Sequence, residues 1–225
     1  MSAGDWTAES LAARVDHTIL RPEATRAQVE QVAVQAVELG CASVCVQPDH
    51  VAFVANLLDG RLPVCSVVGF PHGATLSRLK AAEAASVVAL GASEVDVVAP
   101  LGPISEGELD EVRHDVAAVR AAVPDVVLKV IVESALWTPA VLRGVCEAAV
   151  DAGADFVKTS TGFHPSGGAT LEAVHVMRDA VGSRARVKAS GGIRTLEDCI
   201  AMLDAGADRL GMSATAAVVQ QLRGA

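Results

Sequence analysis

The chain has 225 residues, of which 51% are apolar, and a formal net charge of −9. Nucleic-acid binding needs a basic face or aromatic stacking platforms, and this acidic chain with 3% aromatic residues offers neither. No uncharged apolar run approaches ~18 residues, the length of a membrane span, and the first residues lack a secretory signal pattern. The composition therefore predicts a cytoplasmic protein without a nucleic-acid or membrane partner.

The first predicted elements are a helix over "DWTAESLAARV" and a short strand at "VDHTIL". A unit then recurs in which a helix ends at a glycine and a strand follows after a short turn. Its copies are "VELGCASVCVQP", "VALGASEVDVVAP", "VDAGADFVKTS" and "LDAGADRLGMS". Their glycines, roughly fifty to sixty residues apart, favour the left-handed helix cap, and such a period indicates a repeated architecture.

Further apolar runs lie between these copies, so that each repeat holds two strands and two helices: "LPVCSVVGF", "VVLKVIVES" and "ARVKASGG". The runs are rich in Val and nearly continuous, which is typical of parallel strands covered on both faces. Eight strands alternating with helices predict an α/β fold, a single (β/α)8 TIM barrel over residues 1–225 with an extra N-terminal helix. A doubly wound open sheet is the alternative.

The five cysteines are odd in number and form no CxxC pair, which disfavours a disulfide framework or a zinc site. We therefore expect buried thiols in a reducing compartment and no bound metal. They are Cys41, Cys45, Cys65, Cys146 and Cys199.

Lysine is rare in this chain, at four residues against fourteen arginines, yet Lys129, Lys158 and Lys188 fall in predicted strands. Lys80 is the fourth. A lone strand lysine is usually a structural ion-pair partner. A buried lysine, unlike an arginine, can lose its proton and become a nucleophile, so three of them together favour a chemical role.

Lys158 and Lys188 each precede a Gly-rich loop, at the C-terminal ends of predicted strands six and seven, the catalytic face of such barrels. Lys129 comes early in its strand and is expected to lie deeper. Burial and a neighbouring cation both favour a neutral amine, and a neutral amine can form a Schiff base with a carbonyl compound. Asp96, on another strand, adds a carboxylate.

The last two strands are followed by "KASGGIRT" and "RLGMSAT", in which small residues come just before a helix. Backbone N–H groups at such positions bind anions, and the loops after strands seven and eight are the recurrent phosphate site of this fold. The sequence therefore predicts a small phosphorylated aldehyde or sugar as substrate. Arg194 could add positive charge there.

Several segments, in order along nearly the whole chain, resemble the signature segments of the deoxyribose-phosphate aldolase family: "VDHTILRPEAT", "EVDVVAP", "LKVIVES", "DFVKTSTGF" and "VKASGGIRT". The resemblance implies a class I aldolase that needs no metal or other cofactor. Such an enzyme interconverts 2-deoxy-D-ribose 5-phosphate with acetaldehyde and D-glyceraldehyde 3-phosphate.

The resemblance also implies residue roles. Lys158 corresponds to the Schiff-base lysine, Lys188 to the lysine that keeps it unprotonated, and Asp96 to the carboxylate of a proton-transfer network. Substrate-binding roles fall on Asp16, Thr18, Thr161, Gly162, Gly191, Gly192 and Ser213. Ala214 stands where some members have a second serine, and the chain has no tyrosine, whereas some members close their site with one.

Other interpretations stay open at this stage. The chain could be another lysine-dependent aldolase or a non-catalytic phosphosugar-binding barrel, while a metal-dependent aldolase is disfavoured by the lack of a His/Glu cluster. Cys45 is interpreted as a packing residue, with exposure to reactive aldehydes as the alternative. The loop segment from His164 to Gly168 is interpreted as a flexible lid. A homodimer is possible in this interpretation, but no sequence feature defines its interface.

Overall fold

The computed structural model describes residues 6–224, which contain a closed barrel of parallel strands in the order β1 to β8, with β8 pairing with β1. This closure confirms the predicted barrel and excludes the open sheet. The strands are β1 Val15–Ile19, β2 Ser43–Val46, β3 Val64–Val68, β4 Glu94–Val98, β5 Val127–Ile131, β6 Phe156–Lys158, β7 Arg186–Ser190 and β8 Arg209–Met212.

Helices alternate with these strands around the barrel. They are α1 Ala8–Ala12, α2 Arg26–Leu39, α3 Val51–Leu58, α4 Ser77–Ala89, α5 Leu101–Glu106, α6 Leu109–Ala122, α7 Pro139–Asp151, α8 Leu171–Val181, α9 Leu196–Asp204 and α10 Thr215–Arg223. Short 3₁₀ turns cover Pro48–His50 and Ser134–Leu136. No helix within residues 6–224 is both long enough and apolar enough to cross a bilayer.

The extra N-terminal helix is confirmed as α1, which precedes β1 and packs on α10 through Ala8, Ala12 and Val219. The helix begins where Thr7 accepts a hydrogen bond from the N–H of Ser10, so a capping side chain fixes its start. Asp5, the first residue of the segment predicted as helix, and Ala225 lie outside the described residues.

The glycines of the repeated unit lie at the ends of its helices, as the sequence predicted. Gly40 caps α2 with φ 71°, and its N–H bonds to the last carbonyl groups of that helix. The other repeat glycines, Gly91, Gly153 and Gly206, also have positive φ. Because a side chain strains this conformation, each repeat ends its helix at the position where only glycine turns freely.

The strands have an apolar outer face and a polar inner face. Outward Val, Ala and Leu side chains pack under the helices in one continuous core. The inner face instead holds charged side chains: Asp16, Glu94, Asp96, Lys129, Lys158, Lys188 and Arg209. Such side chains are almost never fully buried unless paired, so the barrel interior holds the candidate reactive groups.

Candidate active site

The two predicted reactive lysines are direct neighbours. Lys158 is the last residue of β6, and the parallel register pairs it with Lys188 of β7. Lys129 lies one strand further round, paired with Asp96 of β4. Lys129 and Lys188 are completely buried, whereas Lys158 is 3% exposed and therefore the nearest of the three to solvent.

Asp96 joins the three lysines through one carboxylate. Its Oδ2 accepts hydrogen bonds from the Nζ atoms of Lys158 and Lys188, both at 2.8 Å. Its Oδ1 accepts from Lys129 Nζ at 2.8 Å and from the Cys65 thiol at 3.1 Å. Burial opposes ionisation of Asp96, but the lysine ammonium groups outweigh it and hold the pKa of this carboxyl well below its usual range.

Lys188 has a second carboxylate partner, because its Nζ also bonds to Asp16. Burial disfavours the ammonium form, but Asp16 and Asp96 together raise the pKa of Lys188 above its usual value. Lys188 is therefore a fixed positive charge beside Lys158. This agrees with the sequence-based expectation of a cationic neighbour for Lys158.

A second layer of ion pairs lies beneath these groups. Lys129 Nζ bonds to Glu94 at 2.6 Å, and Arg209 bridges Asp16 at 2.8 Å and Glu94 at 3.2 Å. Lys129 is thus deeper than Lys158, as predicted. Glu94 and Arg209 were not predicted. Strand alternation could have found Glu94, which stands two residues before the predicted Asp96.

A cavity of about 500 Å³ opens at the C-terminal ends of the strands, with Lys158 in its wall. Ser190, Arg194 and Gly211 line it together with the predicted residues Thr18, Thr161, Gly162, Gly191, Gly192 and Ser213. Asp16, Asp96 and Lys188 lie buried and connected to Lys158 by hydrogen bonds. The structure therefore brings all ten predicted site residues together.

The glycine loop after β7 differs from the prediction in one respect. Gly191 and Gly192 were expected just before a helix, but α9 begins only at Leu196. Asp198 already accepts from the N–H groups of Arg194 and Thr195, so a carboxylate occupies the start of that helix. An anion would therefore be bound by the loop N–H groups around Gly191 and Gly192, which have φ of 89° and 85°, and by the residues before α10.

Glu133 fixes the loop after β6 and was missed by the sequence analysis. Glu133 lies two residues after the end of β5 and has a φ of 50°. Its buried carboxylate accepts a 2.7 Å hydrogen bond from the Thr161 hydroxyl and 3.3 Å hydrogen bonds from the Thr161 N–H. The Thr161 oxygen in turn accepts from the Phe163 N–H at 3.1 Å. Glu133 is part of the "LKVIVES" segment, but the sequence pattern did not predict its contact with Thr161.

The second half of the same loop is docked onto the glycine loop. A Cβ atom added to Gly168 would lie 2.1 Å from the carbonyl oxygen of Gly191, a separation that no side chain tolerates. The Ala169 N–H bonds to the carbonyl oxygens of Ser190 at 3.1 Å and Gly191 at 3.0 Å. The two loops are thereby packed backbone to backbone, and Gly168 is an anchor within the segment interpreted as a lid.

Comparison with known proteins agrees with this geometry. The sequence profile of the DeoC/LacD family aldolases matches residues 10–221. A deoxyribose-phosphate aldolase of Mycobacterium avium is 56% identical over 220 residues, which are 96% of this chain and 98% of the relative. The chain belongs to the DeoC/LacD aldolase family.

Solved structures of aldolases share the whole barrel. A putative deoxyribose-phosphate aldolase from Coccidioides immitis is 42% identical with a TM-score of 0.92, covering 96% of this chain and 87% of that one. The tetrameric deoxyribose phosphate aldolase from Aeropyrum pernix is 33% identical with a TM-score of 0.87, covering 96% of this chain and 92% of that one. The family resemblance in the sequence motifs is thus confirmed over nearly the whole chain.

Proposed function

We propose that this aldolase reversibly cleaves 2-deoxy-D-ribose 5-phosphate to acetaldehyde and D-glyceraldehyde 3-phosphate through a Schiff base on Lys158, with residues 1–225 acting as one domain. The observation that carries the proposal is the position of Lys158. Its Nζ lies where a cavity meets a buried charge cluster, and it shares Asp96 Oδ2 with Lys188 at equal distances of 2.8 Å.

Charge balance supports a neutral amine at Lys158. The buried cluster contains three carboxylates, Asp16, Glu94 and Asp96, against three lysines and Arg209. One cation is therefore in excess, and an uncompensated buried charge is costly. Lys188 and Lys129 keep carboxylates of their own, Asp16 and Glu94, whereas Lys158 has only its share of Asp96 and is the least compensated of the three lysines.

The amine form allows the bond changes of an aldol cleavage. Lys158 Nζ adds to the C1 aldehyde of the open-chain sugar, and loss of water gives an iminium ion. A base takes the proton of the 3-hydroxyl, the C2–C3 bond breaks, and its electron pair moves to the iminium nitrogen to leave an enamine. Protonation of the enamine at C2 and hydrolysis release acetaldehyde and regenerate the amine.

Asp96 is the proposed relay for these protons. It is ionised in the resting site and lies within hydrogen-bond distance of Lys158 Nζ, the two conditions for a base acting at that nitrogen. The chain has no tyrosine to assist from above, so we propose that the relay uses Asp96 together with solvent in the cavity. Asp16 and Thr18 form the polar floor, with the Thr18 hydroxyl donating to the Asp16 carbonyl at 2.7 Å.

The phosphate is proposed to bind at the opposite rim of the cavity. Gly162, Gly191, Gly192 and Ser213 line that rim, and α10 begins directly after Ala214. Glycine lets backbone N–H groups approach a phosphate closely, and the start of a helix favours an anion. Ala214 removes one hydroxyl that some family members have, so backbone donors and Ser213 carry this contact.

Turnover assays on a substrate panel test the proposal. Release of D-glyceraldehyde 3-phosphate from 2-deoxy-D-ribose 5-phosphate is expected, unaffected by a chelator, and should be abolished in Lys158→Met. Lys80→Met is the matched control, because Lys80 is equally buried but pairs with Asp115 behind the barrel wall. Cleavage of a ketose phosphate alone would favour another lysine-dependent aldolase, and binding without turnover would favour a phosphosugar-binding barrel.

Assembly and location are part of the same proposal. We propose a homodimer or a larger homo-oligomer, since the Aeropyrum pernix relative is described as tetrameric and Leu76, Leu79 and Leu90 expose large apolar side chains. Light scattering at assay concentration tests it, and a monomeric mass would refute it. We propose a cytoplasmic location because Cys41, Cys45, Cys65, Cys146 and Cys199 are all buried free thiols.

A further inference from the structure

Two cysteines face each other inside the barrel, next to the catalytic carboxylate. The parallel register of β2 and β3 pairs Cys45 with Cys65, and both side chains are completely buried. The two cysteines are 20 positions apart in the sequence, so no short spacing motif predicts the pair. The Cys65 thiol is 3.1 Å from Asp96 Oδ1, and Lys129 Nζ is 3.3 Å from Cys65 Sγ.

The two sulfur atoms and an Asp96 carboxylate oxygen have the mutual spacing of metal ligands, since all three lie within 4.8 Å of one another. A tetrahedral ion with metal–sulfur bonds of ~2.3 Å holds its ligand atoms roughly 3.5–4 Å apart. The upper limit of 4.8 Å is within about 1 Å of this spacing. Thiolates select soft ions of the zinc and cadmium type over magnesium or calcium.

We propose that Cys45, Cys65 and Asp96 form a binding site for a soft divalent metal ion, and that an ion bound there stops the reaction. The ion is an inhibitor in this proposal and takes no part in turnover. Three protein ligands leave a fourth coordination position of the ion unassigned.

The charges and protons of this binding step balance. One M²⁺ ion replaces two thiol protons, giving two thiolates and two released H⁺, so the net charge of the buried cluster does not change. Lys129 keeps Glu94 at 2.6 Å when Asp96 Oδ1 moves to the metal, and Lys188 keeps Asp16. Lys158 keeps its hydrogen bond to Asp96 Oδ2, the oxygen that does not ligate the metal.

The surroundings suit a metal–thiolate site. The cysteines pack with Leu20 and Val67, and Phe70 covers them. Leu20 also lines the cavity that contains Lys158, and Phe70 lines a neighbouring cavity of about 910 Å³, so the pair lies one side-chain layer below the open mouth of the barrel. An apolar cover limits solvent access and lowers the local dielectric around a metal–thiolate site.

Inhibition, unlike binding, rests on the role proposed for Asp96. A metal on Asp96 Oδ1 draws electron density from the carboxylate and so lowers the basicity of Oδ2, the oxygen that faces Lys158. The test must therefore read metal binding separately from activity.

Cadmium chloride titrated into the whole protein, in a non-thiol reductant, provides that reading. We expect a thiolate-to-cadmium ultraviolet charge-transfer band that saturates at one ion per chain, and a parallel loss of activity that a chelator reverses. Cys45→Ala and Cys65→Ala should each weaken binding by about 100-fold or more, since a direct ligand matters more than an outer-shell one. Cys146→Ala and Cys199→Ala, buried elsewhere, are the matched controls and should leave the band unchanged.

Other results would overturn the proposal. Absence of the band, or its survival in Cys65→Ala, would refute the site. A saturable band without any loss of activity would refute the inhibitory role. Neither result touches the aldolase proposal, whose failure would instead appear as a lack of turnover in metal-free protein.

Discussion

Replacing Asp96 by Asn removes the charge on the carboxylate that three lysines share. Asp16 and Glu94 then face Lys129, Lys188 and Arg209, so one buried cation of the cluster lacks a compensating carboxylate. Removing one partner of a buried ion pair costs about 3–5 kcal/mol. At an m-value of about 2–3 kcal/mol per molar urea, the unfolding midpoint should fall by roughly 1–2.5 M.

The effect on catalysis should exceed what lost stability explains. A positioned acid–base group contributes about 10²–10⁴-fold, so kcat should fall by that factor for the folded variant. Asp115→Asn is the matched control, because Asp115 is also buried and pairs with Lys80 at 2.8 Å, between α4 and α6. It should lose similar stability and keep kcat within about threefold of wild type.

Urea unfolding followed by circular dichroism gives the stability of both variants. The retro-aldol rate at saturating substrate, corrected for the folded fraction, gives kcat. If Asp96→Asn retained kcat within tenfold of wild type, or if Asp115→Asn lost as much activity, the account of Asp96 as the proton relay would be wrong.

Two further predictions concern the loops and the charge cluster. Gly168→Ala should raise KM for the phosphorylated sugar by tenfold or more, because the Cβ of the new alanine displaces the Gly191 carbonyl. The KM for unphosphorylated 2-deoxyribose should change less. Equal changes in KM for both substrates would exclude a phosphate role for this loop. Burial raises the pKa values of Asp16 and Asp96 in the folded state, but the neighbouring lysines lower them by more. The contribution of these two carboxylates to the free energy of unfolding is therefore complete above their unfolded pKa of ~4 and is lost as the pH falls below it. The stability advantage of wild type over Asp16→Asn should therefore shrink below about pH 4 in urea titrations, and a constant advantage from pH 7 to pH 3 would contradict the ion-pair assignment.

Much of the site could be predicted because parallel strands leave few choices. Once "DFVKTSTGF" and "ARVKASGG" are consecutive strands ending in glycine loops, Lys158 and Lys188 must meet at the C-terminal face. Repeat glycines such as Gly40 predicted the helix ends, since a left-handed cap excludes most other residues.

The remaining features depend on long-range contacts that a single sequence does not encode locally. The bond from Glu133 to Thr161 joins residues 28 positions apart across two loops. The pairing of Cys45 with Cys65 follows from the register of β2 and β3, which the apolar runs left undetermined. The start of α9 was predicted too early, because a capping box of Thr195 and Asp198 begins that helix at Leu196.

Trapping of the covalent intermediate identifies the nucleophilic lysine. Acetaldehyde and borohydride added to the enzyme should convert the iminium ion into a stable N-ethyl lysine, located by mass spectrometry of the peptide containing "DFVKTS". The account predicts modification of Lys158, none at Lys80, and none on that peptide in Lys158→Met. An unmodified Lys158 under conditions of turnover, or an adduct on Lys188 instead, would contradict it.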